Sequence, residues 1–164
     1  MTGSIDAPEG IQDFLLFRMS RILLIGGSMV TRICEGQFGI TRREWTILAL
    51  VAQADEMKWS QILEWSELDE ARLSRAVSSL VAKGLALKRQ MPSRGVSVSL
   101  TDAGRAVFAE LFHVARSVNL RLLEGLDDSE RRQLGLALKS IHRQAAALAD
   151  ATPLPKADRR RGKA

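Results

Sequence analysis

Hydrophobic and polar residues alternate with two different periods along this chain, and the periods predict helices and one β-hairpin. Apolar residues spaced three and four apart predict helices at 11–36, 42–54, 61–67, 70–83, 102–123 and 130–150. After the fourth helix, "VSVSL" alternates apolar and hydroxyl residues, which is the period of a half-buried strand. With "LALKRQ" before it and "MPSRG" between, this segment predicts a small hairpin.

Capping residues mark the borders of these helices. Thr41 stands three residues before Glu44, which is the spacing of a capping box. Gly84 follows the fourth helix, where a glycine commonly ends a helix. The Gly26–Gly27 pair inside the first helix indicates either a kink or the close approach of another helix. The predicted N-caps of the third, fourth and fifth helices are Ser60, Asp69 and Thr101.

Two short helices, a tight link and a hairpin predict a winged helix-turn-helix in a mainly α chain with a small β-hairpin wing. In the second helix of the pair, the predicted buried stripe is Leu73, Val77, Leu80 and Val81. The expected organisation is a disordered N-terminus at 1–10, a dimerisation helix at 11–40, the winged helix-turn-helix at 41–101, dimerisation helices at 102–152 and a basic disordered tail at 153–164.

Positive charge is concentrated in two parts of the chain. The formal net charge is +5, yet residues 71–101 carry six cations and no Asp or Glu, and the tail is also basic. Such concentration is typical of a polyanion binder, whereas a solvated basic loop is the alternative. Together with the helix pair it predicts double-stranded DNA as the partner. A non-specific architectural nucleic-acid binder is the alternative function.

The predicted DNA contacts lie on the second helix of the pair and at the hairpin tip. Arg72 and Arg75 are expected to read guanine or bind phosphate, and Arg94 to enter a narrow minor groove. Small hydroxyl side chains would let the helix approach the major groove closely. The full predicted set is Ser60, Gln61, Arg72, Ser74, Arg75, Ser78, Ser79, Lys83 and Arg94.

Other classes of protein find little support in the residues. His113 and His142 fall on different predicted helices, and the chain has no Gly-rich phosphate loop, HExxH motif or cysteine pair. We therefore expect no enzyme, metal site or cofactor. The N-terminus lacks the layout of a signal peptide, and no apolar run approaches the ~20 residues of a membrane span. We expect a cytoplasmic protein with no membrane partner.

Three segments resemble bacterial transcription regulators of the multiple-antibiotic-resistance regulator (MarR) family: "REWTILALVAQ", "SQILEWSELDEARLSRAVSSLVAKGL" and "VSLTDAGRAV". The resemblance extends over residues 11–150. It implies a homodimer joined through N- and C-terminal helices, with two winged lobes that read the halves of a pseudo-palindromic operator. It also implies a repressor whose DNA affinity falls when a small aromatic acid or phenol binds between the dimer interface and the winged lobe.

The sequence departs from the family pattern at two places. The family's wing carries an Asp-x-Arg signature, whereas this tip reads "PSRG", so Arg94 lacks the aspartate that would buttress it. The third helix of the family has an alanine after its first leucine. Here the pair is Ile62–Leu63, which predicts altered packing between the two helices of the motif.

The terminal helices support a dimer independently of the resemblance. The helices near 11–34 and 130–150 are apolar on one face and are not needed to complete the winged motif. They either join two protomers or pack on each other in a monomer. We favour the dimer because two-fold symmetry lets two half-sites add their binding energies.

Four residues are candidates for sensing a signal. Arg18 lies in an apolar run and needs a partner if it is buried, either a ligand carboxylate or an acid of the partner subunit. Trp45 is near the start of the second helix, where the family's effector pocket lies, or else belongs to the core. His113 on the fifth helix is expected to line the same pocket or else to be a surface or interface histidine. Cys34, the only cysteine, is a structural residue or, in an alternative function, a redox sensor that would need exposure and a lowered pKa.

Overall fold

The helices and strands follow the predicted order. The protein is described by a computed structural model over residues 3–66, 68–91 and 95–151. Its helices are α1 Leu15–Phe38, α2 Arg42–Val51, α3 Trp59–Ser66, α4 Glu70–Ala82, α5 Asp102–Leu122 and α6 Asp128–Ala151, and its strands are β1 Met57–Lys58, β2 Ala86–Met91 and β3 Gly95–Leu100. The predicted mainly α fold with a winged helix-turn-helix is confirmed. Among the described residues, no helix is both long and apolar enough to cross a bilayer.

The first helix begins later than the sequence predicted. A 3-10 turn spans Ile11–Asp13, and Phe14 is extended, with φ −66° and ψ 131°. The Asp13 carboxylate accepts the backbone N–H groups of Glu9 and Gly10, both at 3.1 Å, which draws the chain into this turn. Residues 3–10 form bends without regular secondary structure.

The glycine pair in α1 allows a close approach and does not interrupt the helix. α1 continues through Gly26–Gly27, and Gly26 is buried. A Cβ built on Gly26 would lie 3.4 Å from a methyl group of Leu122 in α5, so the two helices pack closely there. α1 ends at Gly39, whose φ of 62° suits a residue without a side chain.

The predicted helix caps are present, with one exception. The Thr41 Oγ1 accepts the Glu44 N–H, and the Glu44 carboxylate accepts the Thr41 N–H, which completes the capping box. Asp69 and Thr101 cap α4 and α5 through their side-chain oxygens, which accept the N–H groups of Arg72 and Gly104. The prediction for Ser60 was wrong, because α3 already begins at Trp59.

The sheet has three strands instead of the predicted two. All neighbours are antiparallel, in the order β1-β3-β2. β1 pairs Met57 with Val98, and it was missed because two residues are too short to show a period. Ser97 in β3 is buried, and its hydroxyl donates to the Glu56 carboxylate at 2.5 Å.

The core lies between α2, α3, α4, α5 and the sheet. In α4 the residues that face it are Leu73, Ala76, Val77 and Leu80. Val81 was expected in this stripe but is 40% exposed, because it lies a quarter-turn beyond Leu80. The stripe leaves the opposite side of α4 open to solvent.

The chain divides into two compact units between Leu122 and Leu123. In the second unit, Asp127 caps α6 by accepting the N–H groups of Ser129 and Glu130, at 2.7 and 2.9 Å. α6 begins two residues before the predicted start at Glu130. None of its residues is buried among the described residues. The predicted tail at 153–164 lies outside the described residues.

Candidate DNA-binding surface

The orientation of α4 is fixed by its two ends and by its buried stripe. Asp69 caps its start, with Oδ1 accepting the Arg72 N–H at 2.8 Å. Gly84, with φ 70°, ends the helix as predicted. Arg75 and Ser78 are therefore exposed on the free side of the helix. The remaining predicted residues on this helix, Arg72, Ser74 and Ser79, are half-buried.

The two arginines of α4 differ in their local partners. The Arg72 Nε lies 3.2 Å from the Asp69 Oδ2, in a surface ion pair between residues three apart. Such pairs contribute about 0–1 kcal/mol, so a phosphate can replace Asp69 as the partner of Arg72. Arg75 forms no ion pair within the described part of the chain. The free side of α4 thus offers two guanidinium groups one helical turn apart.

A shallow depression of about 180 Å³ joins α4 to the start of α2. Arg72, Arg75 and Ser79 line it from α4, and Thr41 and Arg43 line it from α2. Sequence reasoning missed Arg43 because it lies outside the acid-free window at 71–101. A helix-turn-helix brings the first turn of its leading helix beside the recognition helix, and that general geometry was the available signal.

Lys83 takes part in the fold and is not free on this surface. Its Nζ lies 2.8 and 2.9 Å from the two carboxylate oxygens of Glu44, and it also donates to the Gly39 carbonyl at 2.8 Å. Burial raises the pKa of Glu44, but hydrogen bonds from Lys83, Ser79 and Thr41 outweigh burial, so the pKa lies below its ordinary value. This geometry does not support the predicted DNA contact of Lys83.

The predicted contacts from α3 and the wing have different environments. Ser60 and Gln61 are exposed in the first turn of α3, where the Gln61 Oε1 accepts the Lys58 N–H at 3.1 Å. The Lys88 Nζ of β2 lies 4.5 Å from the Trp59 ring centroid and so connects the wing to α3. Arg94 lies outside the described residues, so its predicted minor-groove contact stays a prediction.

Arg18 finds its partners inside its own chain. Its Nη2 lies 3.0 Å from the Asp13 Oδ1 and 3.1 Å from the Gly3 carbonyl, and its Nε donates to the Gln12 carbonyl at 2.9 Å. Asp13 is 2% exposed. The partner that the sequence left open is thus supplied in this chain by Asp13, and a pairing of Arg18 with a ligand or with the partner subunit stays a prediction.

The other two effector candidates lie in different surroundings. Trp45 is half-buried and stacks on Phe108 of α5, with ring centroids 5.7 Å apart. Phe108 contacts Phe112 in turn, at 5.5 Å. His113 is exposed on α5. The described contacts do not gather Arg18, Trp45 and His113 around one cavity, so effector binding by Trp45 and His113 stays a prediction.

Cys34 has the properties of a core residue. It is fully buried, and burial raises the pKa of its thiol, with the nearby Glu35 acting in the same direction. A thiol that senses oxidants needs access to solvent and a lowered pKa. The structural interpretation of Cys34 therefore fits better than the redox alternative.

Solved structures of similar fold include transcription regulators of the MarR family. No protein-family model and no curated protein matches the chain. A MarR-family transcriptional regulator from Silicibacter pomeroyi is 25% identical, with a TM-score of 0.72, over 84% of this chain and 99% of that one. Bordetella bronchiseptica BpsR, described with regulation of its DNA binding by 6-hydroxynicotinic acid, is 18% identical over 83% and 98%, with a TM-score of 0.73. NadR in complex with 4-hydroxyphenylacetate is 20% identical over 83% and 95%, with a TM-score of 0.63. The winged helix-turn-helix fold of MarR-family regulators is therefore confirmed for this chain.

Proposed function

We propose that this protein is a dimeric, sequence-specific DNA-binding transcription regulator of the MarR type. The observation that carries the proposal is the free side of α4, where Arg75 is exposed and Arg72 is half-buried, while the opposite stripe is buried. A helix mounted in this way fits a major groove about 12 Å wide and offers donors to base edges. The structural similarity to transcription regulators supports the same function.

Exposed apolar residues support the dimer. Four consecutive residues of α1, Ile22 to Ile25, are each more than half exposed in the single chain. In α6, Leu134, Leu136, Leu138 and Leu148 are also exposed. Many large apolar side chains exposed on one chain favour an interaction site. A second copy of the chain would bury it and place two α4 helices on successive half-sites.

An aromatic-acid or phenolic effector is the proposed regulator of DNA binding. BpsR and NadR are described with 6-hydroxynicotinic acid and 4-hydroxyphenylacetate, which are aromatic acids. In this chain the rings of Trp45 and Phe108 could stack with such a ligand at the junction of α2 and α5. Arg18, the predicted carboxylate partner, is already paired with Asp13 in the single chain. We propose that the regulator is a repressor and that the ligand lowers its DNA affinity.

Gel shifts test the proposal. The DNA upstream of this chain's own coding sequence should bind more tightly than a scrambled duplex of equal length at physiological salt. Arg75→Ala should weaken binding to the upstream DNA by about 1–3 kcal/mol and reduce the difference between the two duplexes. Arg105→Ala on α5, which removes an exposed arginine outside the surface, serves as the control. Equal affinity for both duplexes would support the architectural alternative instead.

A further inference from the structure

A second groove lies beside the recognition surface, which is the free side of α4 with Arg72 and Arg75. This groove has no role in the function proposed above. Its volume is about 450 Å³. It lies between Glu35 near the end of α1, the residues Thr41 to Arg43 at the start of α2, and two residues farther on, Ser66 at the end of α3 and Leu68 in the link to α4. We name it the α2 groove.

The charges around the α2 groove suit an oxyanion. Arg42 and Arg43 are both exposed, and neither forms an ion pair within the described part of the chain. The backbone N–H groups of these two residues belong to the first turn of α2, where no carbonyl of the same helix accepts them. Glu44 follows in the sequence, but Lys83 neutralises it. Glu35 is the one carboxylate in the described lining, against two guanidinium groups.

An unpaired hydroxyl provides a second, independent observation. Ser66 lines the α2 groove and is 8% exposed, and its Oγ has no hydrogen-bond partner among the described residues. Buried hydroxyl groups are almost always paired, so this one calls for an explanation. The hydroxyl hydrogen turns about the Cβ–Oγ bond, so an oxygen bound against Ser66 in the groove would provide the acceptor that the described residues do not.

The α2 groove is continuous with the recognition surface. Thr41 and Arg43 line both the groove and the depression that contains Arg72 and Arg75. If α4 enters the major groove of a duplex, the sugar-phosphate backbone beside that groove would therefore lie close to Arg43. Half to two-thirds of protein–DNA hydrogen bonds go to the backbone, and helix N-termini are frequent donors.

We infer that the α2 groove binds a phosphate of the DNA backbone, through Arg43, the first N–H groups of α2 and the Ser66 hydroxyl. The inference rests on the proposed function, since α4 must hold the duplex. The contact would not read sequence. It would fix how deeply α4 enters the major groove, and it would add one phosphate to the electrostatic footprint of each protomer.

The salt dependence of binding tests this inference without knowledge of the operator. The probe is a random-sequence duplex about three helical turns long, with Kd measured by fluorescence anisotropy between about 50 and 200 mM KCl. Arg43→Gln should weaken binding several-fold and reduce the slope of log K against log salt by about 1 per protomer bound. Arg105→Gln removes the same charge outside the groove and should keep the wild-type slope. Ser66→Ala should weaken binding without lowering the melting temperature, because the hydroxyl has no partner in the free protein.

Other outcomes separate the inference from the function. If Arg75→Gln weakens binding while Arg43→Gln and Ser66→Ala behave like Arg105→Gln, the function stands and the α2 groove does not bind phosphate. If the wild type binds neither this duplex nor the upstream DNA of the gel shifts, both proposals are overturned. If inorganic phosphate binds the free wild type but not Arg43→Gln, and the DNA slope is the same for both, the groove takes a free anion and the DNA contact is overturned.

Discussion

Glu44 connects parts of the chain that are far apart in sequence. Its carboxylate caps the start of α2 through Thr41 and pairs with Lys83 just beyond the end of α4. A buried carboxylate without such partners would be costly. The pair therefore fixes the start of α2 against the end of the recognition helix, and it also places Arg43 beside Arg75.

The lowered pKa of Glu44 makes stability depend on pH. A carboxyl group whose pKa is lower in the folded state stabilises the fold above its unfolded pKa of about 4.5 and loses that effect as pH falls through the folded value. Glu44→Gln should lower the free energy of unfolding by about 1–3 kcal/mol at neutral pH. The difference from wild type should shrink as pH falls below about 4.5. Urea titrations across this range measure it. Glu110→Gln, at an exposed site on α5, should show no comparable difference, and equal curves for all three proteins would contradict the role of Glu44.

Gly104 is required by a close backbone contact. A Cβ on Gly104 would lie 1.9 Å from the Leu85 carbonyl oxygen, which accepts the Thr101 N–H at 3.1 Å. Gly104→Ala should therefore destabilise the fold by about 3 kcal/mol or more, because a backbone atom must move. Gly135→Ala in α6, where nothing lies within 4 Å, should be neutral or stabilising by up to about 1 kcal/mol. Chemical denaturation compares them, and a tolerated Gly104→Ala would show that α5 shifts freely.

At the scale of elements, the start of α1 depends on one ion pair. Asp13 holds the N–H groups of Glu9 and Gly10, and Arg18 holds Asp13 from the first turn of α1. Burial raises the pKa of Asp13, but Arg18 and these N–H groups outweigh burial and hold it below its ordinary value. The segment before α1 is thus attached to the helix through a network of polar contacts.

Removal of Arg18 should loosen this segment. In Arg18→Ala, Asp13 loses its cation, so the N–H groups of Glu9 and Gly10 should exchange with solvent faster. Hydrogen exchange followed by mass spectrometry on an N-terminal peptide measures the change. Arg21→Ala, three residues on at an exposed position, is the control. Unchanged exchange in Arg18→Ala would mean that the turn is held by its backbone alone.

The elements that local sequence determines were predicted, and those that depend on distant partners were not. Thr41, Asp69 and Thr101 were identified as caps because each acts within three residues of itself. The ion pair of Lys83 was not predicted, because its partner Glu44 lies 39 residues away in sequence. The occupied state of Arg18 was missed for a related reason, since the turn that carries Asp13 was read as helix.

The same distinction applies to the candidate site. The free side of α4 was predicted from the helical spacing of its apolar residues, because a buried stripe leaves the opposite face free. The position of Arg43 beside Arg72 and Arg75 was not predicted, because only the packing of α2 against α4 brings it to the same surface. Charge counting along the chain cannot detect a cation that joins a surface from another helix.

For the whole molecule, the proposed dimer depends on the exposed apolar residues of α1. Leu24 is 67% exposed in the single chain, within the apolar run from Ile22 to Ile25. Leu24→Glu should convert the dimer to a monomer, because it places a charge in the proposed interface. Sedimentation equilibrium measures the mass. Leu87→Glu, at a similarly apolar but 43% exposed position on β2, should stay dimeric. A wild type that sediments as a monomer would contradict the dimer, and with it the two-half-site geometry.

Because Cys34 is buried, the rate at which its thiol reacts reports how often the core opens. Because the chain has one thiol and that thiol is fully covered, a maleimide or disulfide reagent can modify the protein only during moments when the core around the end of α1 opens. When reclosing is faster than modification, the labelling rate gives the population of the open form, and so its free energy. The labelling rates of Cys34 in all the variants above can be compared under native conditions. A second cysteine at an exposed position such as Ser78 would react first and alone. A cross-linker could therefore be attached beside the proposed DNA-binding surface without removing the native thiol.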